Sequence, residues 1–154
     1  MIDLDDTDRA LLRLLAQDAT RGAGAMGRAL GISQPAAWRR IRRLEETGAI
    51  RGQRVAVDRA ALGFGVTVFL GIKLATKGRV SLEDFERAVT AIPEVQVVQH
   101  VLGLFDYRLR VVARDLADFE RVLRRRIMTL PGVGQVEANV LLSEEVRPGP
   151  LGAP

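Results

Sequence analysis

The amino-acid sequence predicts an α+β protein in two parts. Residues 1–60 read as a winged helix-turn-helix domain with a linking strand, residues 61–147 as a ferredoxin-like βαββαβ domain, and residues 148–154 as a flexible tail. Three observations lead there. Helical periodicity fills the first fifty residues and is interrupted at Gly31. A nine-residue pattern, SLEDFERAV at 81–89, returns as DLADFERVL at 115–123. Segments rich in β-branched residues precede, separate and follow the two copies.

The whole chain sets bounds on function. At 154 residues and 47% hydrophobic content it holds one ordinary domain or two small ones with real cores. No run approaches the roughly 18 uncharged apolar residues of a membrane span, and the acidic start MIDLDDTD is unlike a basic leader, so a cytoplasmic location is expected. No cysteine means no disulfide framework and no thiolate chemistry, and one histidine makes no histidine cluster. That removes several enzyme classes at once, and no catalytic residue, metal or cofactor is expected.

Charge is informative by placement. The net charge is +4. Residues 1–32 carry four Arg and five Asp, whereas residues 33–59 carry seven Arg against two Glu and one Asp. The excess sits in one short segment.

In LDDTDRALLRLLAQDAT, leucines 4, 11, 12, 14 and 15 follow helical spacing with acids in the first turn, which predicts a helix over 5–17. A second, short helix fits 24–30 despite Gly24 and Gly27. Gly31 ends it, Ser33 caps the next, and Pro35 is tolerated in that helix's first turn. This is a helix-turn-helix order. Ala37, Ile41 and Leu44 make the packed stripe of the third helix, Arg40 lies nearer to it, and Arg39, Arg42 and Arg43 point away. Gln34, Pro35 and Ala36 lie at its N-terminal end, and Trp38 at the border of the two faces. IRGQRVAVD then alternates well enough to be a short strand carrying Arg51 and Arg54. A solvated charged face is the bland alternative. A basic helix followed by a basic strand points instead to arginines meeting phosphates.

From Gly65 the texture changes to VTVFLGIKLA, a strand. The two repeat helices, capped by Ser81 and Asp115, run into IPEV and LPGV. VQVVQHVLG and DYRLRVVAR are strands joined near Gly103 to Phe105, and VGQVEANVLL is the last. The β-α-β-β-α-β order places Phe85, Val89, Phe119, Leu123 and Ile127 in a core on one sheet face.

These residues resemble a known family. The run from LDDTDRALLRLLAQDAT through LGISQPAAWRRIRRLEETGAIRG to VDRAALG is similar to the DNA-binding half of the Lrp/AsnC transcription regulators. GLFDYRL at 103–109, LPGV and the final SEEV resemble the effector-sensing half. The resemblance covers residues 3 to about 147. It implies contact with double-stranded DNA by Ser33, Gln34, Ala36, Trp38, Arg39, Arg42 and Arg43, with Arg51 and Arg54 in support. It also implies a homodimer built through paired sheets and assembling to tetramers or octamers. A small effector, usually an amino acid, would bind at Gly103, Leu104, Phe105, Asp106 and Tyr107, with Val136 and Ala138 on the last strand.

The chain departs from the family pattern in places. GAGAMGRALG is a weaker helix former than usual in the second helix, and Arg21 replaces an apolar residue. Leu104 stands where an acid is common, and Val136 and Ala138 stand where threonines are common. A hydrophobic amino acid, or no amino acid, is therefore expected as effector. Asp106 is either an ammonium acceptor or a turn residue bonding backbone. His100 reads as structural, and Arg124 to Arg126 as helix-end charges or a surface for wrapped DNA. An effector-independent architectural DNA binder is the alternative. A sirohaem decarboxylase on the same scaffold would need several histidines where this chain has one.

Overall fold

The computed structural model describes residues 3–75 and 79–145, the side chains of 79–81 apart. They form two compact units, residues 3–56 with Glu145 and, of the described residues, 57–75 with 79–144. The expected tail, 148–154, lies outside the described residues.

In the first unit, α1 (Asp6–Gln17) opens on a reciprocal cap. Asp5 accepts from the Asp8 N–H at 2.7 Å, and Asp8 accepts from the Asp5 N–H at 3.2 Å. Two amide donors that the helix cannot satisfy itself are thereby bonded. Arg21 is held by Asp18 at 3.2 Å. α2 (Ala23–Leu30) ends on Gly31 in the left-handed conformation, φ 67°. Gly27 within α2 is buried, and a Cβ there would lie 2.7 Å from the Ile32 carbonyl oxygen. The residue that weakens this helix by propensity lets it close against the turn. α3 (Gln34–Glu46) starts at Ser33, whose Oγ accepts from the Ala36 N–H at 3.3 Å. Ala37 and Leu44 are fully buried and Ile41 half-buried, as the stripe predicts.

The wing is a correction. Residues 51–58 form no strand. Alternation gives a segment the right faces, but its N–H and C=O groups need a neighbouring strand. Among the described residues none pairs with this one. Val55 and Val57 accordingly stand exposed.

The second unit runs β1 (Val66–Leu74), α4 (Arg79–Thr90), β2 (Val95–His100), β3 (Tyr107–Ala113), α5 (Leu116–Val122) and β4 (Val133–Val140). The sheet is antiparallel with order β2-β3-β1-β4, the ferredoxin-like arrangement. Val68, Leu70 and Ile72 of β1 and Tyr107, Leu109 and Val111 of β3 meet Phe85, Val89, Phe119 and Ile127 from the helices. Leu123 packs at the margin. Each fully buried side chain of this kind contributes about 1.5–3 kcal/mol. Among the described residues of this unit no helix packs on the opposite face of the sheet, where Phe69, Arg108 and Glu137 are exposed.

Two helix starts differ from one another. Asp115 caps α5, accepting from the Asp118 N–H at 2.7 Å. Ser81 does not cap α4: the helix begins at Arg79, so Ser81 sits inside its first turn, and its side chain lies outside the described residues. α5 also continues as a π turn over Leu123–Ile127, which a 3.6-residue period does not reveal.

Candidate functional site

The outward side of α3 is the first candidate surface. Successive residues step about 100° around a helix. Arg40 and Arg43 therefore share one flank of the buried stripe, Trp38 and Arg42 the other, and Arg39 lies opposite. Trp38 is 54% exposed, and the Arg42 guanidinium lies 5.6 Å from its ring centroid while also meeting Glu45 at 3.1 Å. Arg39 is exposed. Ser33 and Gln34 are exposed at the start of the helix, and Ala36 is half-buried.

The Arg40 and Arg43 flank faces α1. Arg40 donates to Asp5 at 2.6 Å and to Asp8 at 2.8 Å, and Arg43 donates to the other oxygen of Asp8. Asp8 is fully buried, so its charge is matched by two arginines and the Asp5 amide. The same bonds hold the Asp5 carboxyl below its ordinary 3.8, the Asp8 amide contributing most and Arg40 next. They raise the pKa of Arg40. Arg40 is structural, as its position near the stripe predicts. Arg43 is the correction: it reaches back to α1 instead of pointing away. Its spacing of three from Arg40 and the acids at 5 and 8 were the signal for it. Arg51 and Arg54 are exposed, on chain that is not a strand.

The nominated effector residues divide between the two faces of the sheet. Asp106 turns the β2–β3 connection back onto β1, its N–H donating to the Ile72 carbonyl at 2.9 Å and its carboxylate accepting from the Leu74 N–H at 2.8 Å. That is the backbone-bonding role. Phe105 lies on the helix-free face, its ring directly over Gly71, where a Cβ would meet ring carbons at 2.6–2.7 Å. Tyr107 is buried on the helix side between Phe85 and the stacked ring of His100, both 4.7 Å away. Its hydroxyl donates to Glu86 at 2.6 Å. Burial, and secondarily Glu86, raise the phenol pKa above 10.0. His100 thus has the structural role expected. Leu104 is exposed at the tip beside Gly103, Val136 packs on the core, and Ala138 is exposed on β4.

A cavity of about 290 Å³ on the helix-free face is lined by Phe69, Gly71, Phe105, Arg108, Arg110 and Glu137, among others. Of the nominated effector residues it contains Phe105 alone. Among the described residues no cluster of three His, Asp or Glu side chains could hold a metal ion. None of the described helices is long and apolar enough to cross a membrane.

Both halves of the chain match known family descriptions: an AsnC-type helix-turn-helix domain over residues 4–45 and an Lrp/AsnC ligand binding domain over residues 67–151. The chain belongs to the Lrp/AsnC family. It is 32% identical over 148 residues to the proline dehydrogenase transcriptional activator of Rhodobacter capsulatus, covering 96% of each chain. It is 32% identical over 151 residues to the Bkd operon transcriptional regulator of Pseudomonas aeruginosa, covering 97% of this chain and 99% of that one. An AsnC family transcriptional regulator from Agrobacterium tumefaciens shares the fold, with a TM-score of 0.86, 30% identity and 95% of each chain covered. The order of helix-turn-helix and sheet units is thus an Lrp/AsnC order throughout.

Proposed function

We propose that this Lrp/AsnC chain is a sequence-specific DNA-binding transcriptional regulator. It works as a homodimer assembling to tetramers or octamers, and α3 enters the major groove. The observation that carries the reading is the division of labour on α3. One flank is anchored to α1 by ion pairs, while Trp38, Arg39 and Arg42 stay on the exposed side. A rigidly held helix with exposed arginines suits phosphate positioning and base-edge contact. The helix-free sheet face is the surface for self-association, since an open apolar and charged sheet face is otherwise left uncovered.

The effector we expect is a hydrophobic amino acid at the turn 103–107. Leu104 is exposed there, and Asp106 already accepts from the Leu74 amide. A relative named for proline dehydrogenase is in keeping with an amino-acid signal. Tight calorimetric binding of aspartate or lysine would rule this version out. An architectural DNA organiser is the second reading. It gains little from α5, because Arg124 pairs with Glu120 at 3.0 Å and Arg126 with Glu94 at 2.9 Å.

The experiment is fluorescence anisotropy of the protein with DNA from upstream of its own gene and with scrambled DNA, at two salt concentrations, with and without hydrophobic amino acids. Preferential, salt-sensitive binding to the upstream DNA is the expected result. Equal binding to both DNAs would select the architectural reading.

A further inference from the structure

An open hollow of about 370 Å³ lies beside α3, lined by Asp5, Ala36, Arg39, Arg40 and Arg43. Ala36 and Arg39 are among the residues that the Lrp/AsnC resemblance assigns to DNA contact. The acid in this lining comes from the other helix: Asp5 is the N-cap of α1. Its side chain is 53% exposed, whereas that of Asp8 is fully buried. A carboxylate therefore shares a solvent-open surface with three arginines.

The two acids differ in what they are needed for. Asp8 is enclosed, so its charge requires the arginines that meet it. Asp5 caps α1 with one oxygen, Oδ1, which accepts from the Asp8 N–H at 2.7 Å. A neutral Asn or Ser also satisfies that amide. The helix start thus needs the oxygen and not the charge. The second oxygen, Oδ2, takes Arg40 at 2.6 Å. Nη1 of Arg40 serves both Asp5 and Asp8, while its Nε and Nη2 bond no described residue and stay open to solvent. Arg40 accordingly keeps two donor nitrogens of the kind that grip a phosphate, at the edge of a hollow that holds an acid.

We infer that Asp5 is an internal competitor for DNA phosphate, holding Arg40 off the DNA backbone and thereby setting the affinity and salt dependence of α3. The inference rests on the DNA-binding reading and deepens it. A phosphate oxygen and Asp5 Oδ2 seek the same guanidinium, and a phosphate entering the hollow also meets the like charge of the carboxylate. Phosphate contacts position a protein but carry no sequence information. Withholding one weakens binding to every DNA by the same factor, leaving base preference as it was. Dissociation from non-specific sites is then faster, because affinity changes of this kind act mainly on the off-rate.

The test is an anisotropy titration of full-length Asp5→Asn and Asp5→Ser against the upstream and scrambled DNAs over several salt concentrations. Both replacements can cap α1, and circular dichroism with a urea midpoint verifies folding of each variant. Asp6 lies exposed on the same turn and bonds no arginine, so Asp6→Asn removes the same charge without touching Arg40. Both Asp5 variants should bind each DNA about threefold tighter or more, with a salt slope steeper by about 0.9 per subunit as Arg40 gains a phosphate. In an Arg40→Gln background, where Gln keeps a donor for Asp8, the same Asp5 change should leave the slope unaltered. A slope that steepens there overturns the route through Arg40. An equal gain from Asp6→Asn makes net charge the cause and overturns the competition. Unchanged or weaker binding by folded Asp5 variants overturns it too, as does a gain confined to the upstream DNA, which would assign Arg40 to a base. A wild-type chain with no salt-sensitive DNA binding overturns the DNA-binding reading and this inference with it.

Discussion

Asp8 is where local helix chemistry and the proposed DNA-facing surface meet. One buried carboxylate closes the α1 cap and receives Arg40 and Arg43 of α3. Replacing it with Asn leaves the arginines facing a neutral group. Because they are partly exposed, the expected loss is about 2–3 kcal/mol, below that of a fully enclosed pair. Trp38 is the only tryptophan and lies in the same unit, so urea unfolding followed by its fluorescence reads this loss. The two outer arginines should separate in the same way. Arg39→Ala is expected to weaken DNA binding and lower the salt slope by about 1 per subunit. Arg43→Ala is expected to appear mainly as a fall in the urea midpoint. Equal salt slopes for the two variants would show that Arg43 leaves Asp8 to meet phosphate. Acid acts through Asp5. Its folded pKa lies below 3.8, so its contribution is fully present above that value and is lost as pH falls through the folded pKa. Asp5→Asn should therefore flatten the decline in Trp38-monitored stability below about pH 4.

At the scale of elements, every helix and every strand of the sheet unit was legible in period and punctuation. Asp115, Ser33 and Gly31 end or start helices by chemistry confined to a few neighbouring residues. The failures were non-local. Residues 51–58 alternate, yet no strand lies beside them, and alternation records only which side faces inward. The π turn in LRRRI depends on how Ile127 reaches the core, which spacing does not encode. The signature GLFDYRL was legible as the connection between β2 and β3. Its division, with Phe105 on one sheet face and Tyr107 on the other, follows from strand alternation once β3 is known to begin at Tyr107. Gly71 tests that arrangement. Gly71→Ala forces the Phe105 ring off β1, with an expected cost of about 1–3 kcal/mol. Hydrogen exchange should then quicken at the β1 and β3 amides, while those of α1 to α3 keep their wild-type protection.

For the whole molecule, charge count and charge function differ. Residues 33–59 carry seven arginines, but Arg40 and Arg43 are engaged by α1 and Arg59 is half-buried, leaving Arg39, Arg42, Arg51 and Arg54 as exposed cations on or just after α3. The proposed dimer, presenting both sets, would make about eight phosphate contacts, each contributing about −0.9 to the slope of log K against log salt. The expected slope is about −7, measurable by anisotropy titration between 50 and 200 mM salt. A slope near about −11 would mean that Arg40 and Arg43 also reach the backbone.

The ring of Phe105 resting on Gly71 also predicts how homologous sequences can drift. With ring carbons 2.6–2.7 Å from where a Cβ would stand, a methyl at position 71 and a benzyl at position 105 exclude one another. Change at these two sites must therefore be correlated. Descendants that acquire a side chain at 71 should more often carry a smaller residue at 105, because the pair with both side chains large gives up stability that the small-small pair keeps.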